Sequence, residues 1–220
     1  MTDRPILFSA PMIRALLAGT KTQTRRLIKP RGKHRPSLFD GTWSDSYVLD
    51  HGNESWRQVD IPIKLGDRLW VRETWAPLSA LTHNDPGVQA LADGGFYRAD
   101  GGTVDGEISK WLPSIFMPRH ASRLTLIVTD VRVERLNDIS REDAITEGLI
   151  KVEHAPPMAV EMGCHWGFEG DGRYGSPISA YAALWDHING AGAWESNPWI
   201  VAYTFTVHHG NIDQIAQVAA

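Results

Sequence analysis

The longest run of β-forming residues in the chain extends from Leu124 to Leu136 and alternates as a strand does. Its residues on one face are Thr125, Ile127, Thr129, Val131 and Val133. The segments Arg68–Trp75 and Pro198–Val207 alternate in the same way. Because the strands are dispersed along the chain with helical segments between them, the pattern predicts an α+β fold, a small mixed β-barrel with peripheral helices and long loop insertions.

Three segments carry the signals of helix boundaries. One helix is expected to open at Pro11 and to close at Gly19. A second is capped by Ser140 and ends before Gly148, which leaves Glu147 at a helix C-terminus, where the dipole disfavours a negative charge. The third has one apolar stripe of Tyr181, Leu184, Trp185 and Ile188 and stops at Asn189-Gly190.

The composition is that of an ordinary globular protein, with 42% hydrophobic and 22% charged residues in 220. We expect one domain over residues 1–207, with insertions near 29–62, 77–118 and 151–177, and a C-terminal tail over 208–220. The first residues lack the long apolar stretch of a signal peptide, and no apolar run approaches the ~20 residues that span a bilayer, so we expect a cytoplasmic protein without a membrane partner. Cys164 is the only cysteine, which excludes an intrachain disulfide and a multi-thiolate zinc site, and we expect no metal and no cofactor.

Charge is strongly segregated along the chain. The first 39 residues hold nine Lys or Arg and one Asp, a net charge of +8, whereas the remaining 181 hold 13 Lys or Arg and 25 Asp or Glu, a net charge of −12. This pattern favours an anionic partner, a nucleoside or RNA, for the N-terminal part. The alternative is a solvated basic face that balances the acidic remainder. The expected nucleic-acid contacts are Arg25, Lys29, Arg31, Lys33 and Arg35.

A carboxylate stands at the end of an apolar row. If Leu69 and Val71 point into the core, strand alternation directs Glu73 and Trp75 to the same side. A buried carboxylate needs a partner or a ligand, so Glu73 is expected to bind substrate or, alternatively, to pair with a nearby Arg. Trp75 is expected to form a surface on which a base stacks.

Four blocks of sequence, in order, resemble the ASCH domain family, and most closely its longer members, which are often borne by phages or prophages. The blocks are Lys21-Thr22-Gln23-Thr24-Arg25-Arg26 after a helix ending in Gly, Gly66-Asp67-Arg68-Leu69-Trp70-Val71-Arg72-Glu73-Thr74-Trp75, Ser140 to Gly148, and Asn197-Pro198-Trp199. The resemblance implies a PUA-like β-barrel with a cleft beside the first helix. It also implies a relation to RNA-binding and RNA-modification modules.

Some small members of this family are amidohydrolases that remove the acetyl group from N4-acetylcytidine. The resemblance implies that Lys21, Thr24 and Glu147 are catalytic here and that Arg26 matches the Arg of the K-T-x-T-x-R motif. The rival from another class is a non-catalytic RNA- or nucleotide-binding module, and a third interpretation is a ribonuclease. The residues alone favour the alternative, in which Thr24 is an ordinary strand residue, Lys21 a solvated cation and Glu147 a surface acid.

The chemistry of the three residues can be argued from their side chains. Cleavage of an N-acyl bond needs a nucleophile, a base and a group that protonates the leaving nitrogen. A Thr hydroxyl is a weak nucleophile until a base takes its proton, and a Lys becomes that base when burial or nearby cations disfavour its ammonium. On a regular strand Lys21 and Thr24 face opposite sides, so a turn or bulge between them is required.

Overall fold

The computed structural model describes residues 1–30, 36–82, 90–91, 94–101, 107–152, 165–168 and 173–215. Over these ranges the chain is a mixed α/β protein. The helices are α1 (Ala10–Leu17), α2 (Asp45–Leu49), α3 (Glu54–Arg57), α4 (Arg141–Thr146) and α5 (Pro177–Asn189). The strands are β1 (Asp3–Leu7), β2 (Gln23–Leu27), β3 (Arg68–Arg72), β4 (Trp75–Pro77), β5 (Gly95–Tyr97), β6 (Leu124–Arg135), β7 (Ile150–Lys151), β8 (Trp166–Gly167) and β9 (Trp199–His209).

The main sheet has five strands in the order β1-β3-β6-β9-β2, and two small sheets pair β4 with β5 and β7 with β8. Strand β1 is parallel to β3, β3 is antiparallel to β6, and β2 is antiparallel to β9. The peptide N–H of Arg68 donates to Thr2 O, and that of Phe8 donates to Arg72 O. Alternate residues of β1 therefore bond to β3, and the nitrogen of Pro5, which cannot donate, faces away from it.

The chain forms two compact units, each assembled from separate stretches. The first unit comprises Met1–Lys21, Gly66–Val128 and Phe205–Ala220. Its helix α1 has Pro11 in the first turn and ends before Gly19 at φ 72°, so both predicted boundary signals are confirmed. The helix buries Met12, Ile13 and Leu16. The predicted inward row is also confirmed, because Leu69, Val71, Glu73 and Trp75 are all buried.

The second unit comprises Thr22–Leu65 and Thr129–Thr204. Ser140 Oγ accepts from the Asp143 N–H at the start of α4, and Gly148 beyond its end has φ 100°, so both predicted boundary signals are confirmed. Helix α5 begins in a capping box of Ser176 and Ser179. Its inner face joins a core cluster made of Leu136, Ile139, Ala144, Leu149, Ala180, Tyr181, Trp185, Ile200 and Ala202. Ile188 does not belong to the buried stripe, since it is 57% exposed.

The expected insertions contain structure of their own. Residues 29–62 include α2 and α3, and Leu38 and Val48 pack with Trp199 in a small apolar cluster. Residues 77–118 include β5, and Ala80 and Ile108 pack with Ala76. Most of 151–177 lies outside the described residues. In the expected tail, β9 continues to His209 and Ile212 is fully buried.

Candidate active site

Strand β2 presents the motif residues on alternating sides. Thr24 lies opposite Tyr203 of β9 in the register, and Arg26 lies opposite Val201, so Thr24 and Arg26 share one side of the strand and Arg25 takes the other. Thr24 is buried. Regular strand structure begins only at Gln23, and the Thr22 N–H donates to Thr146 O at 2.9 Å, at the end of α4.

Lys21 belongs to the first unit and has no exposed surface. Its backbone N–H donates to Ala15 O at 3.1 Å, which fixes it beyond the C-terminus of α1. Its Nζ lies 5.5 Å from the centroid of the Phe8 ring, within the range of a cation–π contact. The interpretation of Lys21 as a solvated cation is therefore excluded.

Glu147 is the C-terminal capping residue of α4 and is 2% exposed. Its Oε1 accepts from the Tyr181 hydroxyl at 3.3 Å and lies 3.4 Å from Arg25 Nη1. The positive charge of the Arg25 guanidinium offsets the unfavourable interaction between the Glu147 carboxylate and the negative end of the α4 dipole. The interpretation of Glu147 as a surface acid is excluded by its burial.

Arg25 lies at the centre of a buried polar network in the second unit. Its side chain has no exposed surface, and it donates to Glu134 Oε1 from Nε at 3.0 Å and from Nη2 at 2.7 Å, and to Asp143 Oδ2 at 3.0 Å. Burial lowers the pKa of Arg25, but Glu147 and Glu134 outweigh burial, and the net pKa is raised. Arg25 is therefore a permanent cation whose charge is directed to three carboxylates, with no surface left for a phosphate of a nucleic acid.

Sequence reasoning missed the groups that surround Arg25. Gln23 Oε1 accepts from Arg25 Nη1, and Gln23 Nε2 donates to Asp143 Oδ1 at 3.2 Å. Burial raises the pKa of Asp143, but the hydrogen bond from Arg132 and the charge of Arg25 outweigh burial and lower it overall. The sequence offered one indication, because strand alternation places Gln23 and Arg25 on the same side of β2. Alternation does not identify partners that are more than 100 residues away.

Tyr181 was predicted only as part of the apolar stripe of its helix. Its hydroxyl is the neutral donor to Glu147, and burial first and Glu147 second raise its pKa well above the usual value. The hydroxyl therefore keeps its proton. Arg26 is half-buried, and burial, opposed by Glu147, lowers its pKa.

Glu73 and Trp75, the other expected substrate-binding residues, lie in the first unit. Glu73 is buried and accepts from Arg123 Nε at 2.9 Å and from Nη2 at 3.0 Å, so the alternative interpretation, a pair with a nearby Arg, describes its placement. Arg123 also lies 3.9 Å above the centroid of the Tyr97 ring. Trp75 is buried in a cluster with Tyr97, Met117 and Ala121.

The remaining predicted contacts belong to the basic arm. Lys29 is exposed, whereas Arg31, Lys33 and Arg35 lie outside the described residues. In the second unit a groove of about 590 Å³ is lined by residues other than the predicted site residues, among them Leu49, Ile61, Leu65 and Val131.

Two features of the described ranges bear on the expected partners. Those residues contain no cluster of three His, Cys, Asp or Glu side chains that could hold a metal ion. They also include no helix that is both long and apolar enough to span a bilayer. No protein-family model, curated protein or solved structure matches the chain.

Proposed function

We propose that the protein is a hydrolase that removes the acyl group from an N-acylated nucleoside such as N4-acetylcytidine, and that its five-stranded sheet belongs to a PUA-like barrel. The observation that carries the proposal is the burial of the three expected catalytic side chains, with Lys21 at 0%, Thr24 at 2% and Glu147 at 2% exposure. Lys and Glu side chains are almost never fully buried unless they are paired, so the burial of Lys21 and Glu147 sets them apart from the solvated cations and acids of the surface. The four sequence blocks that resemble the ASCH family support the same activity.

The proposed reaction has two steps. In the first, the Thr24 hydroxyl attacks the acyl carbon while neutral Lys21 takes its proton, and the cytosine amine leaves with a proton supplied by Glu147. In the second, water attacks the acyl–Thr24 ester and gives one proton to the Glu147 carboxylate left by the first step, while the Lys21 ammonium returns its proton to the departing Thr24 oxygen and the carboxylic acid is released. The general-base role requires Lys21 in its neutral amine form. Arg26, on the same side of β2 as Thr24, is the proposed substrate-binding cation.

The test is incubation of the pure protein with N4-acetylcytidine and detection of free cytidine and acetate by mass spectrometry. Replacement of Thr24, Lys21 or Glu147 by Ala abolishes most turnover, and the double variants lose little more than the single ones, since residues of one catalytic device are non-additive. Thr24→Ser keeps partial activity because a hydroxyl remains. Lys21→Arg does not, because a guanidinium cannot give up its proton to become a base.

Lys110→Ala is the control for these variants, because it removes a cation from an exposed position outside the proposed site and leaves turnover unchanged. Full activity of the Thr24→Ala variant would exclude the mechanism in which an acyl–Thr24 ester forms. Lack of turnover by the wild-type protein across a panel of acylated nucleosides would remove the hydrolase proposal.

One observation favours a second function, a non-catalytic RNA- or nucleotide-binding module. Lys29, the first residue of the basic arm, is exposed and can reach a phosphate in solvent. Neutralising Lys29 together with Arg31, Lys33 and Arg35 would then weaken RNA binding across sequences, and the log–log salt slope would fall by about 0.7 for each cation that pairs with a phosphate. An unchanged salt slope in this quadruple variant would remove the arm as an RNA contact.

A further inference from the structure

We infer that Tyr181 is a positioning residue, whose hydroxyl holds the Glu147 carboxyl group in the orientation that proton transfer to the leaving amine requires. This inference rests on the proposed hydrolase function. It concerns a residue on α5 that the motif does not include.

The position of Tyr181 is fixed from several sides. The side chain is 3% exposed, and its ring centroid lies 6.1 Å from that of Trp185 and 6.3 Å from that of Trp194. The helix that carries it starts in a capping box and packs against the core of the second unit. The hydroxyl therefore reaches Glu147 from a rigid support, as precise orientation of a proton donor requires.

Two different donors converge on the same atom, Glu147 Oε1. Arg25 Nη1 lies 3.4 Å away and the Tyr181 hydroxyl 3.3 Å away. A guanidinium only donates, so Arg25 favours the carboxylate form of Glu147. A phenol both donates and accepts, so Tyr181 can stay bonded to Glu147 whether that group is a carboxylate or a carboxylic acid.

The hydroxyl also keeps the proton that this task needs. Burial and the neighbouring Glu147 raise the pKa of Tyr181 well above its usual value, so the phenol stays neutral over the working pH range. A neutral hydroxyl orients the carboxyl group without competing with it for the proton that is transferred. The two residues therefore have different roles. Arg25 compensates the negative charge of Glu147, and Tyr181 sets the orientation of the Glu147 carboxyl group.

Tyr181→Phe tests the inference, because it removes the hydroxyl and keeps the ring against Trp185 and Trp194. Since a hydrogen bond to a charged group contributes enough for about a 10- to 100-fold effect, we expect kcat to fall by that factor, with KM nearly unchanged. In a Glu147→Gln background the same substitution should change the residual rate less than about twofold, because Tyr181 acts through the carboxyl group. Tyr97→Phe is the matched control, since it removes a buried tyrosine hydroxyl that donates to Ala121 O.

The outcomes separate this inference from the proposed function. The positioning role would be overturned if Tyr181→Phe lowered kcat by the same factor in the wild-type and the Glu147→Gln backgrounds. It would also be overturned if Tyr97→Phe lowered kcat as much as Tyr181→Phe does. Either result would leave the hydrolase proposal intact. Inactivity of the wild-type protein would overturn both. Non-additive loss confined to Tyr181→Phe supports the inference, provided that the urea midpoints show the variants to be folded at the assay temperature.

Discussion

Arg25→Ala is expected to destabilise the second unit severely. The substitution removes the guanidinium that Glu134, Asp143 and Glu147 share. Removing one partner of a buried ion pair typically costs about 3–5 kcal/mol, because the other charge is left buried without compensation.

The structure indicates where in that range the cost falls. Asp143 keeps two bonds from Arg132 Nη2, each at 3.1 Å, and Glu134 is 16% exposed and can reach water. Glu147, with its side chain 3% exposed, loses its ion pair with Arg25 and keeps the hydrogen bond from the Tyr181 hydroxyl. The main penalty therefore falls on one carboxylate, and we expect a loss of about 3 kcal/mol in the free energy of unfolding at pH 7.

The assay is urea unfolding with linear extrapolation, repeated from about pH 8 down to about pH 2. In the wild-type fold the pKa of Asp143 is lowered, with Arg132 and Arg25 overcoming the opposing effect of burial. A lowered carboxyl pKa contributes stability above the unfolded pKa, and this contribution is lost as pH falls. Arg25→Ala lacks part of it, so the difference in stability between variant and wild type should narrow as pH falls below about 4.

Arg132→Ala is the matched control. It removes a guanidinium that also bonds to Asp143, but its side chain is 41% exposed, so the loss should stay below about 1 kcal/mol. The reasoning would be refuted by an Arg25→Ala protein within about 1 kcal/mol of wild type at pH 7, or by Arg132→Ala being equally destabilised. Unchanged stability with lost RNA affinity would instead restore Arg25 as a nucleic-acid contact.

Two further predictions concern the first unit. Trp75→Ala should cost about 3–5 kcal/mol in urea unfolding, because the indole is buried, whereas Trp70→Ala, at a half-buried position, should cost clearly less; similar losses would contradict the burial argument. Hydrogen bonds from Arg68 lower the pKa of Asp3, and those from Arg119 lower that of Asp213, so both carboxylates stabilise the fold above about pH 4 and lose this effect as pH falls. Amide-exchange protection of residues 210–215, corrected for intrinsic rates, should therefore decrease below about pH 4, and constant protection would contradict this.

Local features were predictable because they depend on neighbours in the sequence. Pro11 and Gly19 bracket α1, and Ser140 and Gly148 bracket α4, where the predicted capping contact forms. The alternation of Leu69, Val71, Glu73 and Trp75 gave the correct buried side, even though β3 ends at Arg72 and β4 starts at Trp75. Helix caps and strand alternation depend only on residues a few positions apart, so they can be predicted from the sequence.

The sequence by itself determined the mixed α/β class, the boundaries of α1 and α4, and the buried row from Leu69 to Trp75, whereas only the tertiary structure decided the partners of the charged residues. Arg25 bonds to Glu134, Asp143 and Glu147, which are 109, 118 and 122 residues away along the chain. In sequence the same residue is one more cation in a basic segment that favours a phosphate partner. The interactions of a buried charge depend on the polar groups that surround it in the low-dielectric interior. Those groups come from distant segments of the chain, and only tertiary packing brings them together.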